Sequence, residues 1–239
     1  MNDFSSILRT LQKPAQFFFV RHGESEGNLR GQMQGHDNQP LTETGRDQAR
    51  NTAAWFGSQG VRIDRVYASP LARAFETARI LADSNGYHPP EPMESLKELY
   101  MGSFSGLTIP QIKEQYPDEY RLFTVGSWEA VPGAEPVTSL AARALTAWEQ
   151  LVRDANAGVS KIVSVTHGGM IQWILKTSFG TTPESGTPWM PLIKASNCSV
   201  FLFSARPAGS DWYYGQWSLM NYVPGREPEL GEQFHTNAR

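Results

Sequence analysis

Short apolar runs alternate along the chain with stretches whose apolar residues recur at helical spacing. The first run, Phe17-Phe18-Phe19-Val20, passes straight into Arg21, His22 and Gly23. A run this short predicts a buried central strand with a charge and an imidazole at its carboxyl end. Residues 1–15 before it read as an arm or short helix. The polar, glycine-rich stretch from Gly27 to Gln39 reads as a loop. Pro40-Leu41-Thr42 introduces a helix with Thr42 as its N-cap; Ala49, Ala53, Trp55 and Phe56 supply its apolar face, and Gly60 ends it. A second strand is predicted at Arg65 to Ala68. Ser69-Pro70 reads as a helix start, a capping hydroxyl followed by proline in the first turn. That helix runs to about Ala82 and is closed by Asn85-Gly86 and Pro89-Pro90.

Pro92 to Leu99 is a short segment with Glu98 near its end, followed by a tight loop in which Gly102 and Gly106 flank Phe104. Thr108 to Tyr120 reads as one or two helices broken near Pro117, and Val125 to Gly133 as loop. Residues 99–135 together are expected to be an insertion that covers a crevice, not a separate domain. Val137 to Ala155 is an amphipathic helix, with Leu140, Ala144, Ala147, Trp148, Leu151 and Val152 at helical spacing. Lys161 to Thr166 is the next strand; His167-Gly168-Gly169 closes it, and a helix begins at Met170 and reaches Phe179. Asn197 to Ala205 and Trp212 to Tyr222 read as two strands joined by a turn at Pro207 to Ser210. Strands alternating with helices predict a layered α/β sheet. No repeat, low-complexity segment or linker divides the 239 residues, so one domain spanning 1–239 is expected.

Composition narrows the classes of function. The net charge of −3 argues against nucleic acid as a partner. Cys198 is the sole cysteine, which leaves no internal disulfide and no thiolate metal cluster. Met1 to Gln16 lacks the apolar core of a signal peptide, and no apolar run approaches the ~20 residues of a membrane span. A soluble cytoplasmic protein without nucleic-acid or membrane partners is expected.

The chemistry gathers in four places, each at a predicted strand end or helix start: Arg21-His22, Arg73, Glu98 and His167. In open α/β sheets, ligands sit outside the carboxyl ends of the strands. Two arginines and two histidines suggest an anion pocket, because the guanidinium fork suits phosphate oxygens. Arg73 falls in the first turn of a helix, where free N–H groups already favour an anion. A carboxyl group in such a site can serve as general acid. A metal site would need clustered His, Asp and Glu ligands, and Arg21 would repel a cation from His22; no metal and no cofactor are expected. Taken alone, Arg73 also fits an ordinary solvated or salt-bridged helix residue. Cys198 reads as a small buried residue and His36 as a loop residue bordering the site. Trp212, Tyr213, Tyr214 and Trp217 fall on both faces of a strand, so most should pack. His88 and His235 carry no signal.

Taken in order, the motifs resemble those of the histidine phosphatase family, also called phosphoglycerate mutase-like. They are Phe19-Val20-Arg21-His22-Gly23-Glu24-Ser25 with Asn28; Gln34-Gly35; Pro40-Leu41-Thr42 with Gly45; Ala68-Ser69-Pro70-Leu71 with Arg73 and Thr77; Glu98 with Gly102; and Thr166-His167-Gly168-Gly169. The resemblance spans about residues 17–203. It implies a three-layer α/β/α sandwich around a mostly parallel central sheet. It also implies that His22 is the nucleophile, that Arg21, Arg73 and His167 clamp the phosphoryl oxygens, and that Glu98 protonates the leaving oxygen. Asn28, Gln34, Gly35 and Gly168 would line the substrate site. The implied activity is metal-independent hydrolysis of a small phosphorylated metabolite through a phosphohistidine, with inorganic phosphate as product. Mutases of the family carry an arginine after the acid and a tyrosine two residues further on; Leu99 and Met101 stand there, which weighs against the alternative of a phosphoglycerate mutase. The other alternative, a catalytically silent phosphate-binding scaffold, has no reason to retain the whole catalytic set. Phe104 in place of a frequent tryptophan, Ala134 and Pro136 around Glu135, and Gln172 in place of a common arginine are departures that bear on substrate preference.

Overall fold

Strand β1 (Ala15–Arg21) sends Phe17 and Phe19 to one face of the sheet and Phe18 and Val20 to the other, as a two-residue period requires. The computed structural model that shows this describes residues 3–125, 128–181, 192–209 and 212–225. The further strands are β2 (Arg65–Ala68), β3 (Glu91–Pro92), β4 (Lys161–Thr166), β5 (Val200–Pro207) and β6 (Tyr213–Tyr222). Their order across the sheet is β3-β2-β4-β1-β5-β6. The pairs β1–β4, β2–β4 and β2–β3 are parallel, and β5 runs antiparallel to both its neighbours. The mostly parallel sheet is therefore present as expected.

The helices are α1 (Phe4–Arg9), α2 (Glu26–Leu29), α3 (Glu43–Ser58), α4 (Ala72–Asn85), α5 (Ile109–Gln115), α6 (Pro117–Val125), α7 (Val137–Asn156) and α8 (Gly168–Ser178). Helices α1, α7 and α8 bury their apolar residues with Phe17 and Phe19. Helices α3 and α4 do so with Phe18 and Val20. That is the three-layer arrangement. On the first face Trp148 of α7 is fully buried, with the rings of Phe4, Phe17, Phe19 and Phe203 edge-on at 4.9, 5.7, 5.2 and 5.3 Å. Edge-to-face contacts of this kind add to the area buried and anchor α7 across the sheet.

Several local readings shift. Ser69-Pro70 does not begin a helix: α4 starts at Ala72, its N-cap is Leu71, and no side chain caps it. Helix α8 begins at Gly168 with His167 as N-cap, two residues before the expected start. Strand β5 begins at Val200 because residues 197–199 turn back onto β1. Cys198, with φ of 56°, gives its N–H to the carbonyls of Arg21 and His22. Between Val125 and Gly133 lies a 3₁₀ turn, Trp128–Ala130, whose Trp128 is buried and donates from Nε1 to the Glu135 carbonyl. Of the four aromatics of the last strand, Tyr213 and Trp217 pack, while Trp212 and Tyr214 are 73% and 50% exposed. Strand β6 is the sheet edge, with a ladder neighbour on one side only. His235 and Ser210 lie outside the described residues.

Within residues 99–135, Phe104, Ile112 and Val131 form a small core of their own. The segment is joined to the loop after α2 through paired backbone bonds, Met33 N–H to Leu107 O and Gly106 N–H to Met33 O.

Candidate active site

Parallel register brings the two histidines together. Arg21 lies beside Thr166, the last residues of β1 and β4, so His22 and His167 leave the sheet as neighbours. Their ring centroids are 5.0 Å apart, and exposure is 2% and 0%. The chain can turn so tightly after His22 because two glycines meet there. A Cβ on Gly23 would lie 2.4 Å from the Gly45 carbonyl oxygen, and one on Gly45 only 2.0 Å from that of Glu24. The N–H of Gly23 donates to Thr77 Oγ1, which donates to the Arg73 carbonyl.

Hydrogen bonds assign both ring tautomers. His22 Nδ1 donates to the Gly23 carbonyl at 2.6 Å, which leaves Nε2 with its lone pair, and Arg73 Nε approaches that lone pair at 3.3 Å. At His167, Ser69 decides. Its hydroxyl accepts from Leu71 N–H at 3.3 Å and lies 2.8 Å from His167 Nε2. Among the described residues the hydroxyl meets no other acceptor, so its proton goes to Nε2 and His167 carries its own proton on Nδ1, a buried atom with no partner there. Burial above all, then the positive charges of Arg73 and Arg21, holds the His22 imidazole well below its ordinary value. Burial, Arg73 and His22 do the same for His167. Both rings are neutral, one offering a lone pair and the other an N–H.

The arginines are held by carbonyls, and neither forms an ion pair among the described residues. Arg73 is buried; NH1 donates to Asp37 O at 2.7 Å and NH2 to Gly35 O at 2.8 Å. Burial lowers its pKa to about 10. Arg21 donates from NH1 to Ala195 O at 2.6 Å, and its Nε is buried without a partner among the described residues. Burial lowers its pKa as well, against the pull of the nearby Glu98. An unpartnered buried donor calls for a ligand; here two of them, Arg21 Nε and His167 Nδ1, belong to one site. With Arg73 they form an electropositive cradle beside the His22 lone pair, which suits an oxyanion.

Glu98 faces the same place from the other side. Its carboxyl oxygens accept from the N–H groups of Leu99 at 2.9 Å, Met170 at 3.2 Å and Gly169 at 3.3 Å. The last two belong to the first turn of α8, where N–H groups lack partners within the helix. Gly169 admits the contact: a Cβ there would sit 2.5 Å from Glu98 Oε1.

The remaining expected residues play different parts. Gly168, the first residue of α8, would place a Cβ 3.5 Å from Arg21 Nε. Gly35, with φ of 51°, contributes the carbonyl that holds Arg73, and Met101 packs where a side chain would be. Asn28 completes a capping box with Ser25 and receives Asn197 Nδ2 on its Oδ1. Gln34 is turned toward Ser25, whose hydroxyl donates to Gln34 Oε1 at 2.9 Å. Gln172 bridges to the backbone of Leu192 and Ile193, just before the Ala195 carbonyl that holds Arg21. Ser69 and the Ala195 carbonyl were not foreseen as part of the site; a seryl-prolyl pair after a strand looks like a cap. His36 does border it, meeting the Glu98 carbonyl at 2.8 Å through Nε2. Among the described residues no group of three or more His, Cys, Asp or Glu is placed to hold a metal ion. No helix there is long and apolar enough to cross a membrane.

The chain is similar to several known proteins. Phosphoglycerate mutase-like protein 4 of Arabidopsis thaliana is 35% identical over 160 residues, 66% of this chain and 68% of that protein. The broad-specificity phosphatase YOR283W of Saccharomyces cerevisiae is 32% identical over 178 residues, 73% of this chain and 72% of that one. Among solved structures, a mycobacterial glucosyl-3-phosphoglycerate phosphatase in complex with VO3 shares the fold, with a TM-score of 0.68 at 24% identity over 87% of this chain and 99% of that chain. A family model matches residues 17–218, and the chain belongs to the histidine phosphatase superfamily, branch 1.

Proposed function

We propose that this protein hydrolyses a small phosphomonoester through a phosphohistidine on His22. One observation carries the reading: the neutral His22 Nε2 lone pair sits beside two buried donors without partners, Arg21 Nε and His167 Nδ1, and the carbonyl-held Arg73. The phosphoryl group enters with its non-bridging oxygens on Arg21, Arg73 and His167. His22 Nε2 attacks phosphorus as the bond to the ester oxygen breaks, and Glu98 gives that oxygen its proton, releasing an alcohol. Glu98, now a carboxylate, takes a proton from water, which attacks the phosphohistidine; phosphate leaves and His22 returns to its starting form. Transfer of this kind depends on alignment and charge stabilisation, and the covalent intermediate divides one hard step into two. Residues 99–135 cover the crevice and shape the room for the alcohol. The relatives include proteins named as phosphatases and as mutases. Leu99, buried against Gly169, leaves the position after the acid without a cation for a substrate carboxylate.

Brief exposure to ³²P-labelled substrate, an acid-free quench and peptide mapping are expected to place the label on His22. His22→Ala should abolish both label and turnover. Label on His167 would reverse the two roles. Transfer of label from 3-phosphoglycerate to a second hydroxyl in preference to water would replace hydrolysis with mutase chemistry.

A further inference from the structure

Glu98 stands in a stretch with no regular structure. After the 3₁₀ turn Glu94–Leu96, residues 97–100 form neither helix nor strand. Side chains take over much of the hydrogen bonding there, and one guanidinium reaches three of the carbonyls from Ser95 to Glu98. Arg143, on α7, donates from NH1 to the carbonyls of Ser95 at 3.2 Å and Lys97 at 2.9 Å, and from NH2 to that of Glu98 at 3.2 Å. Its Nε and NH2 also lie on the two oxygens of Glu135, each at 2.7 Å. A guanidinium has five N–H groups, and these five bonds use them all. Glu135 is fixed in turn: it accepts from Ser139 Oγ at 2.9 Å and from Tyr100 N–H at 3.4 Å, and its own N–H donates to the Tyr100 carbonyl.

We propose that Arg143, oriented by Glu135, is the positioning residue that holds the Glu98 carboxyl in line for proton transfer. This rests on the reading of Glu98 as the acid. The carboxyl can reach the leaving oxygen only if its Cα stays in place. The Glu98 carbonyl is gripped from one side by Arg143 and from the other by His36. Charge alone does not do this: a lysine would keep the ion pair with Glu135, yet its three donors cannot span three carbonyls and a carboxylate. Arg143 and Glu135 also line an open cleft of about 630 Å³, shared with Lys97 and Tyr100, so water can hydrate the freed carbonyls after substitution. The segment then stays folded but loses its alignment.

The test compares single-turnover phosphoenzyme formation from an alkyl phosphate, whose oxygen needs a proton to leave, with that from p-nitrophenyl phosphate, whose oxygen does not. Arg143→Lys is expected to slow the alkyl ester roughly 10- to 100-fold, the order of loss from a misplacement of about 1 Å, and the nitrophenyl ester less than about threefold. The double variant Arg143→Met with Glu135→Leu leaves no lone buried charge to unfold the protein, and should show the same selectivity. Glu98→Gln, run alongside, sets the full size of the leaving-group effect. Wild-type rates for Arg143→Lys on both esters, or equal losses on both, would overturn the positioning role while leaving Glu98 as the acid. If Glu98→Gln itself slows both esters equally, the acid reading fails and this proposal falls with it.

Discussion

Two neutral imidazoles locked inside the site make the stability of the protein depend on pH near neutrality. His22 and His167 are 2% and 0% exposed, and burial with the neighbouring Arg73 and Arg21 charges holds both well below their ordinary value. In the unfolded chain each regains a pKa near 6.5. Between the folded and unfolded values the unfolded state therefore binds more protons, and stability rises with pH. It is fully present above about pH 6.5, declines as pH falls below that value, and stops declining once the folded rings themselves titrate. Protonation of the unfolded chain sets a ceiling of about 1.4 kcal/mol per ring between pH 7.5 and 5.5, and of about 2.7 kcal/mol for the pair. That is a large share of the roughly 5–15 kcal/mol typical of a folded domain. Carboxylates act lower down. At Glu135 burial, the largest single influence, is outweighed by the hydrogen bonds and charge of Arg143 together with the hydrogen bonds from Ser139 and Tyr100, so its carboxyl is held below the usual value and its contribution is lost only as pH falls below about 4.5. Urea unfolding followed by tryptophan fluorescence at the two pH values and constant ionic strength measures the difference. His22→Asn and His167→Asn should each remove about half of it. Equal wild-type stability at both pH values, or an unchanged difference in the double variant, would refute the neutral, buried assignment on which the nucleophile rests.

Ser69→Ala removes the hydroxyl between Leu71 N–H and His167 Nε2. It should cost about 1–3 kcal/mol for the groups left unpaired and allow His167 to move its proton to Nε2, a change visible in ¹⁵N–¹H spectra of the ring. Turnover should fall by roughly 10²–10³-fold for the lost phosphoryl donor, and retention of the Nδ1–H tautomer in the variant would contradict the assignment. Exhaustive chelation is expected to leave phosphate release at its full rate, since Arg21, Arg73 and His167 already supply the positive and donor groups. A tenfold loss reversed by added magnesium or zinc would count against that.

The sequence alone determines the parts of this protein that nearest neighbours decide. The run Phe17–Val20 can be buried only as a central strand, and Thr42 caps the helix that follows it, as read. Alternation of strands and helices leads to the layered sheet, and the motif order leads to the proposed catalytic set. Each of these follows from contacts within a turn or two of the chain, or from residue types that the chemistry itself demands. What lay beyond reach were partners brought together across the fold. Ser69 reads as a cap because Pro70 follows it, yet its hydroxyl serves His167, 98 residues away. Arg143 looks like a solvent-facing residue on the polar side of an amphipathic helix; only the path of residues 95–100 turns it into a clamp on Glu98. Trp212 and Tyr214 follow the alternation of a packed strand, yet β6 begins only at Tyr213, so Trp212 lies before it and Tyr214 on the edge strand, and both are exposed. The tautomers of His22 and His167 were equally hidden, since a ring proton goes to whichever acceptor is near in space. Local preference is written in adjacent residues, whereas strand order, register and hydrogen-bond partners arise only when distant segments pack, and it is these that make two neutral histidines and two carbonyl-held arginines into one site.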